Sequence, residues 1–535
     1  MAEPLLGTDF ADQVLGDLVD ALIREGLCGF GDGVLEGEWY RVGEIRVRVR
    51  DGGALQRVRF AGEVRHRNSV VTAEELVRLV ASDEPYAAQV AADVHTASKH
   101  AAVVTTTFPG EPLGLLAGER LAATRNRPFH PTSRAAVGWT AAELARYGTA
   151  RREPLGLDWV AVPAERLRFG DTHCDLPTLL LSPADRARVT AGLDPAYRVL
   201  PVHPWQFEHV LPREFADELS ADVIRPVARG VGRFWPTASL RTLVSADPVR
   251  HVKLPLGIAT LGAARLLPPR YLDNGARAER TMRTILARDA ALAELVAICD
   301  ERNWCGWAGD EFADRPGHLA AQVRDYPRDA GDPVPMGAFA APVLYASGWH
   351  CAPVAFFRRL AERFCAMALG FLRYGVLPEL HGQNVAVTLR DGMPDRLVLR
   401  DHDTLRITPQ WMDVAGIPDP GYRVKPGTRQ SLRLDEPAEL VGYLQTLGFQ
   451  VNLYGIADAL SLHYGITENV LWTQLRLALD VCLDRIELPA EVAHLLLRSP
   501  TWPSRHVLGP LLRQGRSAGV SMPAGSGRVP NPLLP

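Results

Sequence analysis

One junction constrains this chain more than any other. Residues 353–374 form an apolar-dominated run at helical spacing, with Arg373 in its last turn and Gly375 just beyond, the marks of a helix C-terminus. The next residues are not a simple loop. Glu379-Leu380-His381-Gly382-Gln383-Asn384 leads straight into two short strands expected over 385–389 and 396–399, joined by the turn 390–395, and these are followed by Arg400-Asp401-His402-Asp403. A buried helix that delivers polar residues to the start of a strand, with acids at the end of the next strand, predicts an α+β unit whose polar groups meet in space. Oxygen-bearing side chains so placed suit Mg²⁺, which keeps several waters and bridges substrate phosphates. Protein kinases place an Asn and a later Asp in a comparable way, so any magnesium-dependent nucleotide chemistry is compatible with Asn384 and Asp401.

A second cationic group is expected upstream. Thr237, Ser239 and Arg241 alternate along the run 237–244, and His251 and Lys253 alternate along 250–256 across the turn at 246–248. Paired as a hairpin, these strands bring hydroxyl, guanidinium and ammonium groups to one surface, suited to phosphates or a polycarboxylate. Thr260 and Arg265 extend the same face. Lys253 stands out because Lys99, Lys253 and Lys425 are the only lysines among 59 basic residues. A lysine kept in an ordered strand of so arginine-biased a chain points to a site that needs a compact ammonium.

Elsewhere, apolar residues 14–23 predict an amphipathic helix ending near Gly26, and Ile45, Val47 and Val49 with Val58 and Phe60 predict a hairpin. Thr72 and Thr140, each with a Glu three residues on, predict capping boxes. The 535 residues allow two or three domains, expected at 1–190, 191–345 (rich in strands) and 346–513 (a small sheet, then mostly helix), with a disordered Gly/Ser/Pro tail at 514–535. A net charge of −3 without a basic stripe argues against a nucleic-acid partner. With no apolar run long enough to span a bilayer and no signal-like start over residues 1–9, a cytoplasmic enzyme is expected. The seven cysteines include no C-x-x-C pair, which fits neither a zinc site nor a disulfide framework. Gly515-Arg516-Ser517-Ala518-Gly519 satisfies G-x-S-x-G but lacks the strand and helix of a nucleophile elbow, there is no P-loop, and His350-Cys351 reads as a core pair.

Five motifs in order, Pro201-Val202-His203-Pro204-Trp205-Gln206, Ala238-Ser239-Leu240-Arg241-Thr242, Val252-Lys253-Leu254-Pro255-Leu256, E-x-H-G-Q-N and the later Arg400-Asp401, resemble the aerobactin-synthetase (IucA/IucC) family of NRPS-independent siderophore synthetases over about residues 95–500. The resemblance implies a cupped hand of thumb, fingers and palm domains, often dimeric, that uses ATP to adenylate a carboxylic acid such as citrate and passes the acyl group to an amine or hydroxyl. Carried over, it places ATP against His130, Ser239, Arg241, Lys253, Gln383 and Asn384. It places the substrate carboxylate at Arg265 and His381, Mg²⁺ at Glu379, Gln383 and Asp401, and catalytic roles on Lys253, Arg265 and His381. This chain departs from the family's G-H-P-x-H-P-x-x-K-x-R-x-G: the second His is kept as His130, but Arg127, Arg134 and Ala136 replace the first His, the Lys and the Arg, and Leu261 stands beside Thr260 where the family often has Thr. A small-molecule phosphotransferase, or a non-catalytic relative that binds nucleotide or carboxylate, are the alternatives.

Overall fold

A computed structural model describes residues 10–104, 113–170, 175–427, 430–517 and 519–534, with side chains from residue 12. Residues 1–9, Cys174 and Ala518, on which three of the sequence readings touch, lie outside the described residues.

The chain begins with the helix Phe10–Glu25, whose Val14, Leu18, Val19 and Leu22 are buried on a five-stranded antiparallel sheet in simple sequential order. Ile45, Val47 and Val49 face that helix while Arg46 and Arg48 face out, the period-two pattern of a half-buried strand. Thr72 and Thr140 each accept from the N–H three residues on and receive the reciprocal Glu contact, so both capping boxes form.

An eight-stranded sheet makes the middle of the molecule. Its order runs Leu167–Phe169, Asp300–Trp307, Ala320–Asp325, Arg250–Lys253, Thr242–Val244, Arg225–Pro236, Leu155–Pro163, Tyr197–Val202. It therefore draws strands from both sides of residue 190. The run 237–244 is not one strand. Only Thr242–Val244 pairs with Arg250–Lys253, with Thr242 opposite Lys253. Residues 237–241 close a turn instead, because Thr237 Oγ1 donates to the Thr242 carbonyl at 2.8 Å and the Thr242 N–H donates to Ser239 Oγ at 3.2 Å.

The last unit is built around the helix Pro353–Leu372, which carries twelve buried residues and packs against the helix Glu468–Arg485. Beside it Val385–Arg390 and Met393–Leu399 pair in a sheet that also takes Val296–Ile298 and Val334–Pro335. Cys351 is half-buried against this core, whereas His350 is exposed, so the pair is not a core pair.

The C-terminal segment is not a disordered tail. Gly525–Pro530 pairs in register with Thr501–His506 at six positions, Val529 and Leu533 are buried, and Asn531 donates to the Ser499 carbonyl at 2.8 Å. Gly527 lies flat on the His506 ring, where a β-carbon would stand 2.1 Å from Nε2. The Gly/Ser/Pro composition serves close approach to a distant strand, which has no local signature. Upstream, the Ser517 N–H donates to the Gly262 carbonyl at 2.8 Å, and Ser517 Oγ accepts from the Gly519 N–H at 3.2 Å, a turn rather than a nucleophile elbow.

Candidate active site

The three units face a single cavity of about 1330 Å³. Ser239, Arg241, Arg265, Glu379, His381, Gln383, Asn384 and Asp401 all line it; of the residues expected from sequence, Thr237, His251, Lys253 and His130 do not, and all four are buried. Lys253 lies directly behind. Its side chain is 2% exposed, its ammonium donates to Asp401 Oδ1, and Asp403 Oδ2 is 3.7 Å away. His130 is buried, with Nε2 unpartnered among the described residues. Burial and the charges of Arg127, Arg505 and Arg265 hold its imidazole neutral, well below the usual histidine range.

Local backbone explains why the 379–384 segment can serve this wall. The Gly337 N–H donates to the Gly382 carbonyl at 2.9 Å, so close that a β-carbon on Gly382 would stand 2.8 Å from the Gly337 nitrogen. The Asn384 N–H turns back to the His381 carbonyl at 2.9 Å, and Arg400 Nε donates to the Gln383 carbonyl at 2.6 Å. Arg400 is fixed in turn by Tyr326 Oη at 2.6 Å and by an ion pair with the buried Glu119, so this arginine of the R-D motif holds the wall from behind. Asn452, from the wide π-helical turns Leu444–Leu453, donates to the Leu380 carbonyl at 3.0 Å.

Asp401 sits at φ 66°, and its N–H donates to Glu301 Oε1 at 2.8 Å. It is one of nine described non-glycine residues at positive φ, and Asn126, Leu240, Leu261 and Asp401 all line the cavity. Such strain persists only where surrounding structure enforces it, and its concentration here marks the site. Thr260, not Leu261, serves Arg265: its carbonyl accepts from Arg265 Nη2 at 2.8 Å and its hydroxyl from Nε. The Pro201–Gln206 motif acts at one remove. His203 caps the helix Pro204–His209, and Gln206 Oε1 accepts from the Gly257 N–H at 2.8 Å, fixing the hairpin that carries Arg265.

The electrostatics are lopsided. Among the described residues ten arginine or lysine side chains line the cavity against four carboxylates, in a chain whose net charge is −3. Burial and the neighbouring Arg241 and Arg127 draw Arg265 down to about 9, and burial with Arg505 draws Arg127 down to about 10. Burial opposes ionisation of Asp401, but Lys253, Arg324 and Arg241 outweigh it and hold the carboxylate well below its ordinary range. Burial likewise opposes ionisation of Glu379, and His381, Arg406 and Arg127 overcome it. Among the described residues no three His, Cys, Asp or Glu side chains are grouped to hold a metal by themselves. Sequence reasoning missed Arg406, over the Tyr443 ring at 3.9 Å, Arg505, and the stretch from Val520 to Arg528 that walls one side. None lies in a motif, and only the fold brings them here.

A strongly cationic cavity with ionised carboxylates in its wall has the charge and donors that suit small polyanions. Residues 115–341 match the IucA / IucC family, and residues 355–518 match a family described as Ferric iron reductase FhuF-like transporter. The chain is 34% identical over 447 residues to staphyloferrin B synthase of Staphylococcus aureus, covering 78% of this chain and 76% of that protein. It is 24% identical over 310 residues to the aerobactin synthase of Escherichia coli, covering 49% of this chain and 51% of that one. The fold matches the petrobactin biosynthesis protein AsbB of Bacillus anthracis with a TM-score of 0.82 at 18% identity, covering 99% of this chain and 96% of that one. It also matches ATP-bound aerobactin synthetase IucA of Klebsiella pneumoniae with a TM-score of 0.76 at 18% identity, covering 98% and 99%. The chain belongs to the IucA/IucC family. No helix among its described residues is long and apolar enough to cross a membrane.

Proposed function

We propose that this protein is an ATP-dependent carboxylate ligase of siderophore biosynthesis. It adenylates a citrate-like di- or tricarboxylic acid, releasing pyrophosphate, and joins the acyl group to an amine or hydroxyl, releasing AMP. The observation that carries this reading is the convergence of Ser239, Arg241, Arg265, His381 and Asp401 on one cavity that, among the described residues, holds ten cationic side chains and four carboxylates. Family membership, relatives named as synthases, and the likeness in fold to an ATP-bound IucA support it.

In this reading the phosphates lie against Ser239 and Arg241, with Asn384 and the neutral His130 toward the nucleotide. Lys253 acts through Asp401, which its ammonium keeps ionised and aimed at the cavity. Glu379, Gln383 and Asp401 would hold Mg²⁺. Two ionised carboxylates and an amide without a closed ligand set suit an ion that arrives with the phosphates and keeps its waters. Bound there, Mg²⁺ would supply charge neutralisation on the phosphate oxygens. Arg265 and His381 hold the acid so that one of its carboxylate oxygens attacks the α-phosphorus. The leaving pyrophosphate meets fixed donors that need not reorganise, an arrangement in which each donor is worth about 10²–10³ in rate. The acceptor's lone pair then attacks the acyl carbon, the acceptor loses a proton, and AMP departs with the oxygen that bridged carbon and phosphorus. A homodimer in the cytoplasm is part of the same reading.

Incubation with ATP, Mg²⁺ and a panel of di- and tricarboxylates with diamines and amino alcohols tests it. AMP and pyrophosphate are expected in equal amounts; ADP as the product would replace this reading with a phosphotransferase.

A further inference from the structure

Asp401 stands in the left-handed region at φ 66° and ψ 66°, a conformation that costs a non-glycine residue free energy and has to be held. The side chain that holds it, Glu301, belongs to no motif and does not line the cavity. Glu301 is 1% exposed, on the strand Asp300–Trp307. The pairing of that strand with Ala320–Asp325 slips between Asp300 and Asn303, where one extra residue enters. A bulge of this kind re-aims a side chain. Here the backbone is fixed on both sides. The Glu301 N–H donates to Oε2 of the buried Glu279 at 2.8 Å, and the Glu301 carbonyl accepts from Gln322 Nε2 at 2.9 Å.

The Glu301 carboxylate grips the turn after Met393–Leu399 by its backbone. Its Oε1 accepts from the Asp401 N–H at 2.8 Å, and its Oε2 accepts from the His402 N–H at 3.3 Å. Oε1 also accepts from Arg324 Nε, which has a second effect. Held by that edge, Arg324 brings Nη2 to 3.4 Å from Asp401 Oδ1 without a hydrogen bond there. Lys253 donates to the same Oδ1. Among the described residues no hydrogen bond reaches Asp401 Oδ2, and Asp401 lines the cavity. With no negative charge at 301, the buried guanidinium of Arg324 would turn its fork onto both oxygens of Asp401, the best carboxylate left to it. The open oxygen would then be covered.

We propose that Glu301 is a positioning residue, which holds Asp401 in its left-handed turn and keeps Arg324 off Oδ2, so that this oxygen stays available to the metal ion that accompanies ATP. This rests on the ligase reading above, in which Asp401 holds Mg²⁺. Glu301 acts one bond behind the wall, as the partners that orient metal ligands generally do. The division of labour is plain: Lys253 keeps Asp401 charged, and Glu301 gives that charge its direction.

The test uses Glu301→Gln, which keeps the size and removes the charge, and Glu301→Asp, which keeps the charge and shortens the reach. At saturating ATP, the Mg²⁺ concentration for half-maximal rate should rise about ten- to hundredfold in Glu301→Gln and less in Glu301→Asp, while the KM of the carboxylic acid changes little. Calorimetry with Mg²⁺ and a non-hydrolysable ATP analogue should show a matching loss of affinity, and binding of the analogue in EDTA should be nearly the same in variant and wild type. A lower melting temperature with unchanged Mg²⁺ dependence would mean that Glu301 serves stability alone and would overturn the proposal. Should Glu301→Gln fail to fold, Glu301→Asp carries the same comparison. If the wild-type protein turns over no acid but binds the analogue with Mg²⁺, the ligase reading fails while calorimetry still decides the role of Glu301. A wild-type protein whose affinity for the analogue is the same with Mg²⁺ and in EDTA would overturn the proposal as well.

Discussion

Lys253 donates its ammonium to Asp401 across the boundary between two sheets, from the end of the strand Arg250–Lys253 to the turn after Met393–Leu399. The lysine is almost fully buried and never reaches the cavity wall, whereas Asp401 does. This pair ties the middle sheet to the hairpin that carries the acids. Asp401→Asn keeps the shape and removes the charge. Its turnover should fall by roughly 10²-fold or more, with a small change in melting temperature because Lys253 retains Asp403. Lys253→Met should lose activity and also about 1.5–3 kcal/mol of stability, since Asp401 loses a charged hydrogen bond but keeps Arg324 at 3.4 Å. Steady-state kinetics with urea melts separate the two outcomes; wild-type turnover in Asp401→Asn would remove that residue from the chemistry.

Arg400 should behave as a positioning residue. Its guanidinium joins Glu119, Tyr326 Oη and the Gln383 carbonyl, so Arg400→Lys cannot hold all three. Nucleotide KM and kcat should both worsen, by about tenfold or more combined. Glu119→Gln should lower stability by about 3–5 kcal/mol, because Arg400 would lose its buried counter-charge. Equilibrium urea unfolding of the two variants checks the order.

Truncation after Gln514 removes the strand Gly525–Pro530 and the wall from Val520 to Arg528. It exposes Trp502, which is fully buried, and leaves Thr501–His506 without its partner. The shortened chain should melt several degrees lower, consistent with a loss of about 2–4 kcal/mol in a chain of this size, and should lose activity. A disordered tail would give neither effect, so differential scanning calorimetry decides.

His203 supplies an acid limit. Its Nδ1 accepts from the Trp205 N–H at 3.2 Å and burial pushes its pKa down to about 3. In the unfolded chain the imidazole takes up its proton near the ordinary value of about 6.5. Between those values the unfolded state binds more protons, so stability rises with pH in this window and is lost as pH falls from about 6.5 toward about 3, at up to about 1.4 kcal/mol per unit. His130 and His251, also buried and depressed, add in the same direction. Urea midpoints at pH 7 and pH 5 should differ less in His203→Asn, which retains a cap and removes the titrating group.

What could be read from the sequence was local. The helix before Glu379, the hairpin after Asn384 and both capping boxes follow from short-range spacing, and the structure has them. The turn at 237–241 was missed because alternating hydroxyls look like a strand face until their bonds to the backbone are seen. Arg406, Arg505 and the C-terminal strand were hidden for another reason: their partners lie far off in the chain, and a Gly/Ser/Pro stretch that pairs with a distant strand has the composition of one that does not.

The central claim is that a carboxylate oxygen becomes bonded to the α-phosphorus. A donor acid labelled with ¹⁸O in its carboxylates, turned over with ATP, Mg²⁺ and an amine, tests it by mass spectrometry of the products. One labelled oxygen is expected in AMP and none in pyrophosphate. Label in inorganic phosphate, or unlabelled AMP alongside labelled acid that has been consumed, would contradict adenylation.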